Sequence, residues 1–248
     1  MTEMSYNFPM GFLIPLLLLV AISFGETLYI AVAASMRPLF VELAEVFESE
    51  HRNVEVRLTF GSSGNLYRQI AGGAPYDLFA SADVLYAEKL RGTGKAVYYR
   101  EFARGRLVVF SARSKDYRDG VEVLRNSERI ALASPRHAPY GRSAVAFLKR
   151  AGLYEEVRHR LLYGANTAQA LQFAASGGAD AAVVPLSLVL HYGKGRFWEV
   201  PRNLYPPIRH TLVLTSRGEG KRSAREFLRF MKGEKARQLV EKHGFGAM

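Results

Sequence analysis

Four short segments of this chain place small side chains at the start of a predicted helix. They are Ala33-Ala34-Ser35-Met36, Gly61-Ser62-Ser63-Gly64, Pro135–Gly141 and Gly164-Ala165-Asn166-Thr167-Ala168. The first N–H groups of a helix have no partner within the helix, and the helix dipole adds partial positive charge there. Each segment can therefore attract an anion through its backbone, and the Gly and Ala residues allow a close approach.

The side chains of these segments favour a ligand that only accepts hydrogen bonds. Ser35 and Ser63 supply hydroxyl donors, and none of the four segments contains an acidic residue that would repel a dianion. A site made of donors disfavours a protonated anion, because the acid proton would meet no acceptor. Each Ser, Thr or Asn taken alone is typical of an ordinary N-cap, so it is the set of four that indicates a ligand site.

The elements that position these segments alternate between short β-rich runs and amphipathic stretches, which is typical of a parallel α/β fold. The first series is predicted as Leu28–Val32, Arg37–Glu48, Val54–Thr59, Leu66–Ala71, Asp77–Ala80, Val84–Arg91 and Leu107–Ser111. The second is Ile130–Ala133, Arg142–Ala151, Leu161–Tyr163, Ala168–Ser176 and Ala181–Val184, followed by Arg209–Leu214, Ser223–Met231 and Glu234–His243. The segments follow strands in both series, and the carboxyl ends of parallel strands are where ligands bind.

The two series have the size of two lobes with a ligand cleft between them. The chain is predicted to cross near Gly105–Arg106 and to return through the Pro-rich stretch Pro201–Pro207. Lobe one is then formed by residues 26–106 and 208–248, and lobe two by residues 107–207. Each lobe is expected to be a mostly parallel sheet flanked by helices, and the two crossings predict a hinge.

The composition excludes several other classes of protein. The chain has 248 residues and no Cys, which removes disulfides, thiolate metal sites, Cys nucleophiles and a lipid-modified Cys anchor. Its net charge of +11 suits nucleic acid, an anionic membrane or a small anion, but Lys and Arg are scattered away from aromatic platforms, so nucleic acid is not favoured. No His or carboxylate cluster has the spacing of a metal site. A hydrolase with Ser63 as nucleophile is the competing enzyme class, but Gly61–Gly64 lacks the nucleophile-elbow pattern, so no enzyme is expected.

The N-terminus contains an apolar run over residues 11–25 that is too short for a relaxed membrane span and is typical of a signal-peptide core. Ser23 and Gly25 supply the small residues that a signal peptidase requires, so cleavage would leave a chain that begins near Glu26. No Lys or Arg precedes the run, unlike the usual signal peptide. Residues 1–25 are predicted to be a signal peptide or an N-terminal anchor, and the protein to be periplasmic or otherwise extracytoplasmic, free or tethered.

The segments Val32–Met36, Phe60–Gly64, Gly72–Asp83 and Pro135–Gly141, in this order and spacing, resemble the periplasmic molybdate-binding proteins of ABC importers. The resemblance implies a type II periplasmic-binding-protein fold that carries molybdate or tungstate as a dianion, with no cofactor. It also implies a monomer whose partners are a membrane permease and its ATPase. A binder of sulfate, thiosulfate or phosphate with the same fold stays open, because cavity size cannot be read from a sequence.

The resemblance also implies particular contacts. The family holds the oxyanion with the hydroxyl and N–H groups at the positions of Ser35 and Ser63, and with the backbone N–H groups at those of Tyr140 and Thr167. Some members add a Tyr hydroxyl as a fifth contact to the oxyanion, at the position where this chain has Pro185. Whether this chain makes a fifth contact, and whether the Tyr140 hydroxyl supplies it, stays open.

Four flanking residues receive predictions of their own. Asp77 and Asp83 belong to the stretch that resembles the family signature and are predicted to be structural, with Asp83 as an N-cap. His137 and Arg142 flank the third segment, and we expect them either to assist anion capture or to lie on a solvated surface.

Overall fold

The structure is a computed structural model that describes residues 25–113 and 119–246. In chain order its strands are β1 (Glu26–Ala33), β2 (Val54–Gly61), β3 (Leu78–Ser81), β4 (Ala96–Gly105), β5 (Leu107–Ser111), β6 (Ile130–Ala133), β7 (Leu161–Gly164), β8 (Ala181–Pro185), β9 (Arg196–Glu199) and β10 (Ile208–Thr215). The helices are α1 (Arg37–Glu50), α2 (Ser63–Ala71), α3 (Leu85–Gly92), α4 (Gly120–Arg125), α5 (Pro139–Arg150), α6 (Tyr154–Val157), α7 (Thr167–Ala175), α8 (Leu186–Tyr192), α9 (Arg222–Phe230) and α10 (Glu234–Lys242). Short 3-10 turns occupy Ala34–Met36, Arg158–Arg160 and Arg202–Leu204.

The strands form two five-stranded sheets, in the orders β2-β1-β3-β10-β4 and β7-β6-β8-β5-β9. We call the first sheet with the helices packed on it lobe one, and the second with its helices lobe two. Within each sheet four strands point in the same direction, and a single strand, β10 or β5, is antiparallel to both of its neighbours. The expectation of mostly parallel sheets therefore agrees with the strand directions.

The chain passes between the sheets at two neighbouring places. β4 ends at Gly105 and β5 begins at Leu107, so the first crossing is a single residue, Arg106. The return runs through residues 200–207, from β9 to β10. The Arg106 guanidinium donates to the Glu199 carboxylate, with Nε 2.7 Å from Oε1, and this pair ties the first crossing to the strand that precedes the second.

Buried aromatic and aliphatic side chains hold the layers together. Phe47 and Phe227 join α1 to α9 in lobe one, with ring centroids 5.1 Å apart, and both side chains are fully buried. The same buried cluster extends through Tyr140 and Phe147 of α5 into lobe two. Burial of each large apolar side chain contributes roughly 1.5–3 kcal/mol, so the two lobes share a continuous core around the crossings.

Several elements were absent from the sequence prediction, and their burial explains why. β4 and β9 are edge strands with exposed and half-buried positions in succession, which leaves no strict alternation for a pattern to detect. α8 follows β8 directly through Pro185, so strand and helix form one apolar run in the sequence. The short helices α4 and α6 have too few residues for a 3.6-residue period.

Among the described residues no helix is both long enough and apolar enough to cross a bilayer. The predicted signal peptide or anchor lies outside the described residues, apart from Gly25.

Candidate ligand-binding site

The four small-residue segments meet at one cavity between the lobes. The first two segments form the lobe-one side of the cavity, together with Ala82 after β3, and the last two form the lobe-two side. The residues that line the cavity are Ala33–Ser35, Gly61–Ser63, Ala82, Ala138–Tyr140 and 166–167. The structure thus brings together all four predicted residues, namely Ser35, Ser63, Tyr140 and Thr167. Their convergence follows from the sheet topology, because each segment begins where a parallel strand ends.

Each segment presents the first turn of a helix to the cavity. Ser63 and Thr167 are the first residues of α2 and α7, Tyr140 is the second residue of α5, and Ser35 lies in the 3-10 turn that precedes α1. Backbone N–H groups at the start of a helix have no intrahelical acceptor. The cavity is therefore surrounded by N–H donors and by the positive ends of helix dipoles.

The ordinary N-cap explanation holds for one of these side chains. Asn166 caps α7, because its Oδ1 accepts from the N–H groups of Ala168 at 3.0 Å and Gln169 at 3.1 Å. Ser62 has the N-cap position of α2, yet its side chain makes no capping hydrogen bond. The N-cap role in α7 is thus taken by Asn166, which leaves the neighbouring Thr167 hydroxyl available for another acceptor.

Three hydroxyl groups in the cavity wall are buried and lack a protein partner. The Oγ atoms of Ser35 and Ser62 and the Oγ1 atom of Thr167 make no hydrogen bond to any described residue. Only 1%, 4% and 6% of these residues is exposed. A buried hydroxyl without a partner costs about 1–3 kcal/mol, so three of them around one cavity indicate a ligand that accepts hydrogen bonds.

Ser63 is prepared for donation in a different way. Its Oγ accepts a hydrogen bond from the Ala82 N–H at 3.0 Å, which leaves the hydroxyl proton for a ligand. Ser62 was missed by the sequence prediction, which singled out only the second serine of the pair. Ser62 lies immediately before the start of α2, and this position could have identified it from the sequence.

The cavity is uncharged and tight. None of the described residues that line it carries a charge, so binding there rests on neutral donors and helix dipoles. The cavity volume is about 10 Å³, close to the least that holds one water molecule. The space enclosed between the two lobes is therefore small.

Tyr140 contributes its backbone to the cavity and its side chain to the hinge. The residue is 1% exposed, and a Cβ built on Gly105 would overlap the Tyr140 hydroxyl oxygen. Burial raises the pKa of Tyr140 well above its ordinary value, so the phenol stays neutral. Gly105 is not a lining residue, and neither is Pro185. The Tyr140 hydroxyl thus lies against Gly105 at the first crossing, and Tyr140 is the only tyrosine among the described residues of the lining.

His137 and Arg142 lie beside the cavity and contact the opposite lobe. The Arg142 guanidinium pairs with the Asp83 carboxylate, and the His137 Nδ1 atom lies 3.1 Å from a guanidinium nitrogen of Arg68. Both residues are partly exposed and make contacts between the lobes, and the two expectations for them, anion capture and a solvated surface, remain predictions. Burial raises the pKa of Asp83 above its ordinary value, and the charge of Arg142 only partly offsets that effect.

The two aspartates of the signature stretch also accept hydrogen bonds from residues of lobe one. Asp83 Oδ1 accepts from the Tyr86 N–H at 3.3 Å, which is a capping contact at the start of α3, although Val84 has the N-cap position. Asp77 is fully buried, and its Oδ2 accepts from the N–H of Tyr29 at 2.9 Å and from Lys221 Nζ at 2.7 Å.

Comparisons with known proteins agree with this geometry. A profile of the family described as bacterial extracellular solute-binding proteins matches residues 28–246. Molybdate-binding protein ModA of Azotobacter vinelandii is 37% identical over 224 residues, or 88% of each chain. The protein of the same name in Rhodobacter capsulatus is 36% identical over 218 residues, which cover 87% of this chain and 86% of that one.

A solved structure gives the same result for the fold. The periplasmic molybdate-binding protein of Azotobacter vinelandii matches with a TM-score of 0.84 and 31% sequence identity, over 89% of this chain and 99% of that chain. The predicted two-lobed α/β fold is thereby confirmed. The chain, with its cleft of helix starts between two sheets, belongs to the bacterial extracellular solute-binding protein family.

Proposed function

We propose that this protein captures molybdate or tungstate outside the cytoplasm, as a tetrahedral dianion, and delivers it to an ABC importer. The observation that carries the proposal is the group of buried, unpartnered hydroxyls of Ser35, Ser62 and Thr167 among four helix starts in an uncharged cavity. The relatives named as molybdate-binding proteins support the choice of dianion.

Binding in this proposal is a closure of the two lobes around the hinge. Lobe one, residues 26–106 and 208–248, holds the anion with the hydroxyl and N–H groups of Ser35 and Ser63. Lobe two, residues 107–207, then swings in with the N–H groups of Tyr140 and Thr167. Each hydrogen bond to a charged acceptor contributes roughly 1.5–3 kcal/mol, so a few neutral donors suffice for binding. Release remains possible because no buried cation holds the dianion.

The protein carries its ligand without chemistry in this proposal. Ser63, the competing candidate for a nucleophile, accepts a hydrogen bond from Ala82, and no His is among the lining residues that the structure describes. The described residues also contain no group of three or more His, Asp or Glu side chains that could hold a metal ion. These features support a receptor whose cargo is the only bound group.

Family membership supports the remaining parts of the proposal. The closed monomer is recognised by a membrane permease with its ATPase. Residues 1–25 direct the chain out of the cytoplasm and are either removed or kept as an anchor. The basic surface, with a net charge of +11, steers anions toward the cleft, an effect that falls as salt rises.

Sulfate is the second candidate ligand, because it is also a tetrahedral dianion that only accepts hydrogen bonds. Thermal unfolding of the exported protein with molybdate, tungstate, sulfate or phosphate separates the two. A ligand at a hundred times its Kd adds about 2.7 kcal/mol of stability, or roughly 5–11 °C in Tm. No shift with any of the four anions would refute the proposal, and an equal shift with sulfate would refute the selectivity. Ser35→Ala combined with Ser63→Ala should abolish the shift and leave the apo protein folded.

A further inference from the structure

Among the contacts between the lobes is a group of five residues beside the cavity, which we call the clasp: Gly64, Asp83 and Tyr86 of lobe one, and His137 and Arg142 of lobe two. The Gly64 N–H donates to the His137 carbonyl oxygen at 2.8 Å. The Arg142 guanidinium pairs with the Asp83 carboxylate, and its Nη1 donates to the Tyr86 hydroxyl at 3.4 Å. No clasp residue lines the cavity, so the clasp is distinct from the ligand contacts.

Gly64 is required in the clasp for space. A Cβ at this position would lie 2.6 Å from the Tyr86 hydroxyl and 2.9 Å from the His137 carbonyl oxygen. Its φ is not among the positive values of the chain, so the backbone conformation itself does not demand glycine. Gly64, the second glycine of the Gly-Ser-Ser-Gly segment, therefore lets His137 of lobe two come close to lobe one.

The clasp can form only when the cavity closes, because its members are neighbours of the proposed ligand contacts in sequence. Gly64 follows Ser63, while His137 and Arg142 lie on either side of Tyr140. The contacts between Gly64 and His137 and between Asp83 and Arg142 thus require the starts of α2 and α5 to be close together.

The ion pair in the clasp is partly shielded from water. The Asp83 side chain is 19% exposed and that of Arg142 is 37% exposed. Partial burial makes removal of one partner costly, since the other charge is left without compensation. Asp83 also neutralises Arg142, so this guanidinium does not place a net positive charge beside a bound dianion. Release then depends on opening of the clasp.

We propose that the clasp sets the lifetime of the closed complex: it slows release of the bound anion without taking part in its capture. The inference rests on the proposed function, because it assigns positioning residues to that same site. Capture depends on the open lobes, in which the clasp is not formed, so the clasp should change koff and leave kon nearly unchanged.

The test compares Asp83→Asn with a matched control. Asparagine keeps the shape of Asp83 and its Oδ1 acceptor for the Tyr86 N–H, and removes the charge. The control is Glu101→Gln, which breaks the Arg209–Glu101 pair within lobe one, where the side chains are 46% and 20% exposed. Both variants are expressed as the full chain, purified after export and loaded with radiolabelled molybdate, and release is followed by rapid filtration during an unlabelled chase.

We expect koff to rise about tenfold in Asp83→Asn, which corresponds to ~1.4 kcal/mol, and to stay unchanged in Glu101→Gln. Arg142→Gln should give the same increase, and the double variant no more than either single variant, because the two side chains form one interaction. The Tm of the apo protein should stay close to that of the wild type in every variant. A purely structural role would lower the apo Tm and leave koff unchanged.

Two outcomes would overturn the inference, and they can be told apart. If the wild type retains molybdate and Asp83→Asn and Arg142→Gln release it at the wild-type rate, the clasp has no role in release, although the proposed function stands. If the wild type does not retain molybdate at all, the proposed function fails and the clasp fails with it.

Discussion

His210 on β10 makes the stability of this protein depend on pH in a way that can be worked out from its surroundings. The residue is fully buried against the rings of Tyr140 at 5.8 Å and Phe245 at 5.0 Å between centroids. Neither ring nitrogen has a well-aligned hydrogen-bond partner among the described residues. Burial lowers the pKa of His210 from 6.5 to about 3, and an interaction with the Ala103 backbone only partly opposes this.

The lowered pKa means that the folded protein keeps His210 neutral while the unfolded chain takes up a proton. The contribution to stability is therefore complete above pH 6.5 and is lost progressively as pH falls from 6.5 toward 3. At pH 5 the unfolded chain is almost fully protonated at this residue and the folded protein hardly at all. With a pKa of 6.5 in the unfolded chain and about 3 in the folded protein, the free energy of unfolding falls by about 2 kcal/mol between pH 7.5 and pH 5.

Urea unfolding of the wild type and of His210→Leu at pH 7.5 and pH 5.0 measures this loss. At pH 7.5 the variant should be about as stable as the wild type, because an apolar group of similar volume replaces an unpartnered neutral imidazole. At pH 5.0 the wild type should lose about 2 kcal/mol more than the variant. Equal losses in the two proteins would refute the argument.

Three further substitutions test the site and its supports. Thr167→Val removes an unpartnered hydroxyl and keeps the side-chain volume nearly constant. The Kd for molybdate, measured by isothermal titration calorimetry, should therefore rise about tenfold or more. An unchanged Kd would mean that this hydroxyl does not contact the ligand. Gly105→Ala should lower the free energy of unfolding by about 1–3 kcal/mol, since the new Cβ would overlap the Tyr140 hydroxyl. Gly220 has open space around it, so Gly220→Ala is the neutral control in the same urea assay. Asp77→Ala should lower stability by about 3 kcal/mol, because it leaves the partly buried Lys221 without its carboxylate and the Tyr29 N–H without its acceptor. A normal Kd in the folded protein would separate this effect from ligand binding.

Much of the fold could be predicted from the sequence, since buried parallel strands have strong local patterns. β5 and β6 were predicted with the bounds that the structure gives, because their residues are all buried and their ends are sharp. β4 was not predicted, because it pairs on one side only and mixes aromatic, charged and apolar residues. Edge strands depend on their partners more than on their own pattern, and a sequence does not display the partners.

Part of the candidate site could also be predicted from the sequence, and part could not. The helix starts at Ser63 and Thr167 could be predicted, because a general rule places the ends of parallel strands at a common edge. The clasp could not, since Arg142 and Asp83 are separated by 59 residues and belong to different lobes. The direction of the Tyr140 side chain likewise depends on the space left by Gly105, which is visible only in three dimensions.

The place of β10 between β3 and β4 governs the order in which the chain can fold. In the part of the chain that the structure describes, β4 lies at the edge of its sheet and its only strand partner is β10. Residues 96–105 therefore cannot pair until residues 208–215 are available. The five strands of the second sheet, in contrast, come from one uninterrupted stretch. Contacts that close such long loops form late. A chain that emerges N-terminus first would therefore complete lobe two, which is the middle of its sequence, before lobe one, and the recognition cleft would be the last feature to appear.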